Sequence, residues 1–526
     1  MNRLITSVIC SLVGINTMLA VDPSRPRLVV GIMVDQLRTD YIEYLQNLFG
    51  EKGFRRLMKD GAFLKDVDFK VPGLDKVSGT AMIYTGAYPR MNGISAATVY
   101  DPTRQDMSPA LNDPSIIGNF TSETYSPANL RLSTLSDEVA IDGAGLGWVY
   151  SIAPDPQQSI IMAGHAGNSA FWINDNTGRW ATSTYYKDTP AGLSQRNYSE
   201  PLSSRLDTMQ WKPLLPLARY PGLPAHKRQF EFRHTFPKAD RNVFRMYTSS
   251  PLVNTEVTDV AVMYLKDLHI GQRGDAIDML NIGYTAAPYK YVKDGDYRLE
   301  LEDSYIRLDA QLSRLFEAID KYVGLDNTLI YLASTGYYDD SVQDDDRYRL
   351  PSGTFSVKRA MSLLNSYLAA RYGNGDYVDT YSRGHVYLDR KKIEDKKLNI
   401  DEVAAAARDF LVKMSGVSDA FTMGDIMASS VPSMEGLRLA SDPKTGGDVI
   451  LHFNPGWTVV DDTRFPNDIQ VIRSAMVQTP FFMMGPSVPN VTVSTPVDAT
   501  AIAPTVSRVL RIRSPNGTMS KPVLLE

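Results

Sequence analysis

Residues 28–34 form an unbroken apolar run, LVVGIMV, that closes on an acid, Asp35. A run of this length predicts a strand buried on both faces of a parallel sheet, with Gly31 letting a neighbour come close on one side. Residues 41–60 carry Leu45, Leu48, Phe54 and Leu57 at near-helical spacing and stop at Gly61, which predicts a helix. Residues 78–86 read as the start of another helix, interrupted by Gly86 and Pro89. Strands are predicted over 147–153, 276–284 and 328–333. Between the last two, the stripe Tyr305, Leu308, Leu312, Leu315, Phe316, Ile319 and Val323 predicts a helix. Residues 480–484 predict the final strand and 498–512 a closing helix. Alternation of this kind implies an α/β fold, a three-layer α/β/α sandwich around a mostly parallel sheet.

Two stretches depart from the alternation. Residues 163–236 are rich in Trp, Tyr, Asn and Ser without regular periodicity, and read as an insertion that caps the sheet; Trp172, Trp180 and Trp211 within it suit interface anchors. Residues 346–450 read as a second, mixed insertion with a helix around 400–414. Everything from residue 21 to 526 then forms one domain with these two insertions.

Composition narrows the function classes. Hydrophobic content of 43% and charged content of 22% are those of an ordinary globular protein. With 55 basic and 60 acidic residues the net charge is −5, and no basic block stands out, which argues against a nucleic-acid footprint. Arg3 followed by the uncharged apolar stretch 4–20 reads as a secretory signal cleaved after Ala20. The chain is therefore expected to be exported, to the periplasm or in association with the outer membrane. The single cysteine, Cys10, lies inside that signal, leaving the mature chain without thiol or disulfide chemistry. No later segment approaches the roughly 18 apolar residues of a membrane helix.

Candidate chemistry starts at Asp35, because a carboxylate at the carboxyl end of a parallel strand sits where open α/β sheets bind ligands and metals. The partners for it are few. The six histidines, His165, His226, His234, His269, His385 and His452, are scattered, with no two within five residues. Asp339 and Asp340 with Asp344, Asp345 and Asp346 form either a hard-cation site or, more simply, a solvated acidic loop.

Several blocks carry a resemblance. VVGIMVDQLRTDY at 29–41 looks like the first strand and metal-binding Asp of the alkaline phosphatase superfamily, and YTGAYPRMNGI at 84–94 looks like its TG-x-x-P-x-x-HG-I segment. AGHAGNSAFW at 163–172 and NTGRWATSTYY at 176–186 are similar to blocks of the PafA-type phosphomonoesterase and nucleotide pyrophosphatase branch of Bacteroidetes. SYIRLD at 304–309 and AIAPT at 501–505, through Lys521 and Pro522, extend the likeness over nearly all of the mature chain.

The resemblance implies two zinc ions held by carboxylates and His, activating a Thr or Ser nucleophile. Carried over position by position, it puts Lys76 at the nucleophile. Ser78 and Thr80 reach that place only with a register shift. The phosphate-binding Asn falls on Ala97, the nearby His on Asn92, and the Lys and Arg that clamp phosphate on Asp155 and Gln157. One ligand pair falls near Pro288 and Val292. The Asp-His pair reads Ser334-Thr335, and the last ligand His has no counterpart between 463 and 480. The reading is a superfamily scaffold without its zinc and without its nucleophile: no cofactor, and a vestigial cleft of Asp35, Lys76, Asp155, Gln157, Ser334 and Thr335. The expected function is an exported pseudoenzyme that binds or scaffolds in the bacterial cell envelope, with another envelope protein as partner. The alternative is a metal-dependent phosphate, phosphodiester or sulfate ester hydrolase with a rebuilt site. A carbohydrate or cell-wall binding module rests only on the aromatic loops.

Overall fold

The structure is a computed structural model that describes residues 25–222, 230–274, 276–293, 296–338, 352–461, 468–472 and 477–525. The predicted signal at 1–20 and the acids from Asp339 to Asp346 lie outside the described residues.

Among the described residues ten strands form the central sheet: β1 (Leu28–Asp35), β2 (Ala62–Leu64), β3 (Gly118–Asn119), β4 (Val149–Ala153), β5 (Ser169–Ile173), β6 (Trp180–Ser183), β7 (Asp278–Thr285), β8 (Thr328–Ser334), β9 (Phe481–Met484) and β10 (Val491–Val493). Their spatial order is β10-β2-β9-β8-β1-β7-β4-β5-β6-β3. The middle five, β8-β1-β7-β4-β5, are parallel throughout. β9 runs antiparallel to β8 and β2, and β6 antiparallel to β5.

The alternation of side chains along β1 feeds two cores. Leu28, Val30, Ile32 and Val34 pack with Val257, Val260, Leu308 and Leu312 of helices Leu252–Asp267 and Arg298–Tyr322. Val29 and Met33 face the other way, onto Val77, Met82, Ile160 and Ile502 of helices Lys76–Thr85, Pro156–Ala163 and Ile502–Leu510. That is the three-layer α/β/α sandwich, and it explains why β1 is apolar at every position before Asp35. Gly31 is where the neighbours come close: a Cβ there would stand 2.4 Å from the Tyr331 hydroxyl and 2.7 Å from Asn281 Oδ1.

Three expectations are corrected. Residues 41–60 are not one helix; Thr39–Leu45 and a 3₁₀ turn, Gln46–Leu48, are separated from Phe54–Asp60. Buried Asp309 causes the break, accepting hydrogen bonds from the backbone N–H of Gly50 and of Phe54 at 2.8 Å each. Within 163–236, β5 and β6 belong to the central sheet, so the aromatic stretch is partly framework. The tryptophans are core residues rather than interface anchors: Trp172 and Trp211 are 0% exposed and Trp180 2%. Their indole N–H groups donate to Glu123, Asp303 and Glu256, so an aromatic count without periodicity did not distinguish a buried hydrogen-bonded indole from a surface one.

Between β8 and β9 the chain builds a second lobe. A four-stranded sheet of Val378–Ser382, His385–Leu388, Val449–Phe453 and Val417–Thr422 packs with helices Val357–Tyr372 and Ile400–Leu411 around its own core of Leu364, Leu388, Val403, Leu411 and Leu451. Among the described residues no helix is long and apolar enough to cross a membrane.

Candidate functional site

The parallel strands leave their carboxyl ends along one edge, the place where open α/β sheets bind ligands. In register there, Asp35 of β1 pairs with Thr285 of β7, and Val34 with Ser334 of β8. Asp155 follows the end of β4.

Lys76 reaches this edge through the helix it opens. The Asp75 carboxylate accepts from the backbone N–H of Val77 and Ser78 at 3.1 and 3.0 Å, while Ser78 Oγ accepts the Asp75 N–H at 3.0 Å. This reciprocal capping box fixes where the helix begins. The first turn then lies against the end of β8. A Cβ on Gly79 would stand 1.9 Å from the carbonyl oxygen of Thr335, so only glycine allows this approach.

Lys76 Nζ consequently stands 3.1 Å from Asp35 Oδ2, with the lysine side chain 28% exposed and the aspartate side chain 5%. The Thr335 hydroxyl donates to the other oxygen, Asp35 Oδ1, at 3.1 Å, and accepts from Gln36 N–H at 3.0 Å. Both oxygens of Asp35 are engaged. Desolvation alone would lower the Lys76 ammonium, but Asp35, Asp155 and Asp175 hold it above its ordinary value, so it stays charged at neutral pH.

Asp155 caps the Pro156–Ala163 helix, accepting the Gln158 N–H at 2.9 Å. Desolvation pushes its carboxyl upward against the pull of Lys76. Asp175 is pushed up by burial and by Asp155, and Tyr337 by burial together with Asp35 and Asp75.

The remaining predicted residues sit close by with other duties. Gln157 Nε2 donates to the Ala97 carbonyl at 2.9 Å and its Oε1 accepts the Leu111 N–H at 3.0 Å. The Ala97 N–H donates to Asp75 Oδ2 at 2.7 Å, and Arg383 of the second lobe forms an ion pair with the same carboxylate. Ser334 Oγ donates to the Leu37 carbonyl at 2.8 Å. The two alternative hydroxyls are occupied as well. Ser78 serves the capping box, and Thr80 Oγ1 donates to the Lys76 carbonyl at 2.7 Å. Near Pro288 and Val292, the residue brought inside is Tyr289, whose ring packs on Trp211 and His234. Asp35, Lys76 and Thr335 are thus in direct contact, with Asp155 acting electrostatically, Gln157 and Ser334 bonded to backbone groups, and Ala97 held by the side chains of Asp75 and Gln157.

A zinc pair does not fit these groups as they stand. The carboxylate that would ligate it is closed by an ammonium on one oxygen and a hydroxyl on the other, and a fixed positive charge at Lys76 opposes a divalent cation. Among the described residues no cluster of three or more His, Cys, Asp or Glu could hold a metal ion. Of the described histidines, His165 lies between Asp137 and the Leu130 carbonyl, His234 against Glu300, His385 Nδ1 accepts the Gly447 N–H, His269 lies beside Gln272, and His452 packs edge-on against Phe421. His226 lies outside the described residues.

Four residues of the cluster escaped sequence reasoning: Asp75, Asp175, Tyr337 and Arg383. Asp75 followed three residues later by Ser78 was a legible capping signature. Arg383 lies 308 residues from Asp75 and left no local signal.

The comparisons with known proteins agree with this architecture. A family model described as type I phosphodiesterase / nucleotide pyrophosphatase matches residues 29–471. Alkaline phosphatase PafA of Elizabethkingia meningoseptica is 28% identical over 518 residues, covering 95% of this chain and 94% of that protein. Alkaline phosphatase PhoV of Synechococcus elongatus is 26% identical over 522 residues, covering 95% and 92%. The crystal structure of wild-type PafA superposes with a TM-score of 0.82 at 27% identity, covering 95% of this chain and 98% of that one. By its sequence and its fold, the chain belongs to the type I phosphodiesterase / nucleotide pyrophosphatase family of the alkaline phosphatase superfamily.

Proposed function

We propose that this chain is a pseudoenzyme of its superfamily, an exported protein that binds or scaffolds in the bacterial cell envelope rather than hydrolysing phosphate esters at a zinc pair. The observation that carries this reading is Lys76, the residue at the position the resemblance gives to the nucleophile, locked 3.1 Å from Asp35. An ammonium kept protonated has no lone pair with which to attack phosphorus, and it neutralises the carboxylate a metal would need. The surroundings support the same reading, since Asp155, at the position given to a cationic phosphate clamp, would repel a phosphate dianion. The partner we propose is another envelope protein, engaged through the lobes around the cleft.

Kinship favours a second reading. The relatives are named alkaline phosphatases, so by comparison alone the better-supported class is a metal-dependent phosphate, phosphodiester or sulfate ester hydrolase. Such an enzyme would have to draw its ligands from acids such as Asp35, Asp155 and Asp175. Turnover decides between the two. Purified protein is assayed with an aryl phosphate, a bis-aryl phosphodiester and an aryl sulfate, each with added zinc, manganese or calcium. The pseudoenzyme reading expects rates at the uncatalysed background and a stoichiometric protein partner on purification from native envelopes. Metal-dependent turnover of any of the three esters establishes the hydrolase reading instead.

A further inference from the structure

Asp35 is 3% exposed at the centre of the strand edge. Asp155 and Asp175 act on the same ammonium that Asp35 touches. The neighbouring acids have other cations: Asp75 has Arg383, and Asp175 has Arg245 at 3.7 Å. Asp35 pairs with Lys76, and the same ammonium pulls on Asp155. A carboxylate this deeply placed needs a positive charge close by, because an unpaired buried charge is strongly destabilising. The resemblance to the alkaline phosphatase superfamily implies a bound cation in that role. Here the charge arrives on a side chain whose backbone is fixed by the Asp75 capping box and by the contact of Gly79 with Thr335.

We infer that Lys76 is a tethered counter-ion, a covalently attached cation that stands in for bound metal and makes the carboxylate cluster, and the fold around it, independent of divalent ions. This rests on the non-hydrolytic reading of the cleft, but its test does not depend on turnover. A tethered charge has no dissociation equilibrium and loses rotamer freedom but no translational freedom, so its effect persists when free cations are removed. Lysine suits the position because its compact ammonium on a four-carbon stem meets a single carboxylate oxygen while Thr335 takes the other.

The test is thermal unfolding of the full-length mature protein with EDTA, ZnCl2 or CaCl2. The wild type is expected to melt at the same temperature in all three. Lys76→Met is expected to melt lower by about 2–4 °C in EDTA, from the cost of leaving one partner of a buried pair and the unfolding entropy of a chain this size. That loss should be recovered by ZnCl2 or CaCl2, because the cluster then accepts a free cation. Lys76→Arg should remain cation-independent, and Lys76→Met with Asp35→Asn should lose the cation response. If Lys76→Met does not fold, acylation of Lys76 followed by mass spectrometry keeps the question open to refutation: protection in the wild type and faster labelling in Asp35→Asn are expected. A wild type that EDTA destabilises, a Lys76→Met protein indifferent to both charge loss and added cations, or equal labelling of Lys76 in wild type and Asp35→Asn overturns the inference. A hydrolytically active wild type with the expected melting pattern would remove the pseudoenzyme reading and leave the counter-ion standing. An inactive wild type with an indifferent Lys76→Met would do the reverse.

Discussion

Glu302, on the long helix Arg298–Tyr322, accepts the Gly222 N–H at 3.1 Å with one carboxyl oxygen, while the other has no hydrogen-bond partner among the described residues. Burial raises this carboxyl from 4.5 to about 7. The folded chain therefore holds a proton that the unfolded chain releases between those values, and stability falls as pH rises from about 4.5 through about 7. Glu302→Gln should flatten that slope and stabilise the protein at pH 8 by up to about 3 kcal/mol. Chemical denaturation at pH 5 and pH 8 measures it, and an unchanged pH slope in the variant would refute the assignment. At the cleft, Lys76→Thr alone should give no ester hydrolysis, because it restores a hydroxyl without restoring ligands; zinc-dependent turnover from that one change would show that ligands come from elsewhere. Lys76, Ala97, Asp155 and Gln157 were legible from sequence because well-matched blocks flank them and fix the counting. Their hydrogen-bond duties were not: that Gln157 ties the Ala97 and Leu111 backbones together depends on loops 46 and 60 residues away in the chain.

Elements position those residues, and helix Lys76–Thr85 shows how finely. Its capping box sets the start, and the absence of a side chain at Gly79 sets its distance from β8. Gly79→Ala should force the first turn off Thr335, separate Lys76 from Asp35 and cost about 1–3 kcal/mol in urea denaturation; a neutral result would mean the backbone gives way without loss. Asp75→Ala removes a helix cap and the second lobe's ionic partner together, so it should cost more than the roughly 1 kcal/mol of an ordinary cap. The strands read well in sequence because β1, β7 and β8 are buried on both faces and so are mostly apolar, β7 despite the buried Asn281 at its middle. The helix over 41–60 read badly for an equally physical reason. Its apolar spacing continues across a break made by Asp309, which comes from a helix more than two hundred residues later and whose carboxylate would collide with any side chain at Gly53.

Across the whole molecule, the cleft is shared between the α/β/α core and the second lobe. Arg383 reaches Asp75, Arg131 reaches Asp442 at 2.6 Å, and Tyr100 bonds to Asp379. Arg383→Ala should loosen this attachment and speed limited proteolysis of the second lobe, with the central sheet's secondary structure retained in circular dichroism. The layered core was legible because alternating strand and helix periodicities survive in sequence. The lobe's seat on the cleft was not, since its contacts join positions hundreds of residues apart. The buried tryptophans were misplaced because an indole bonded to Glu123, Asp303 or Glu256 is as polar in sequence as one on the surface. The central claim is that a superfamily scaffold here holds Lys76 and Asp35 in place of a zinc-charged nucleophile. The most direct measurement is the zinc content of the purified protein by mass spectrometry, read beside aryl phosphate turnover in excess zinc. The account predicts well under one equivalent of zinc and no turnover above background; two equivalents with chelator-sensitive turnover would contradict it.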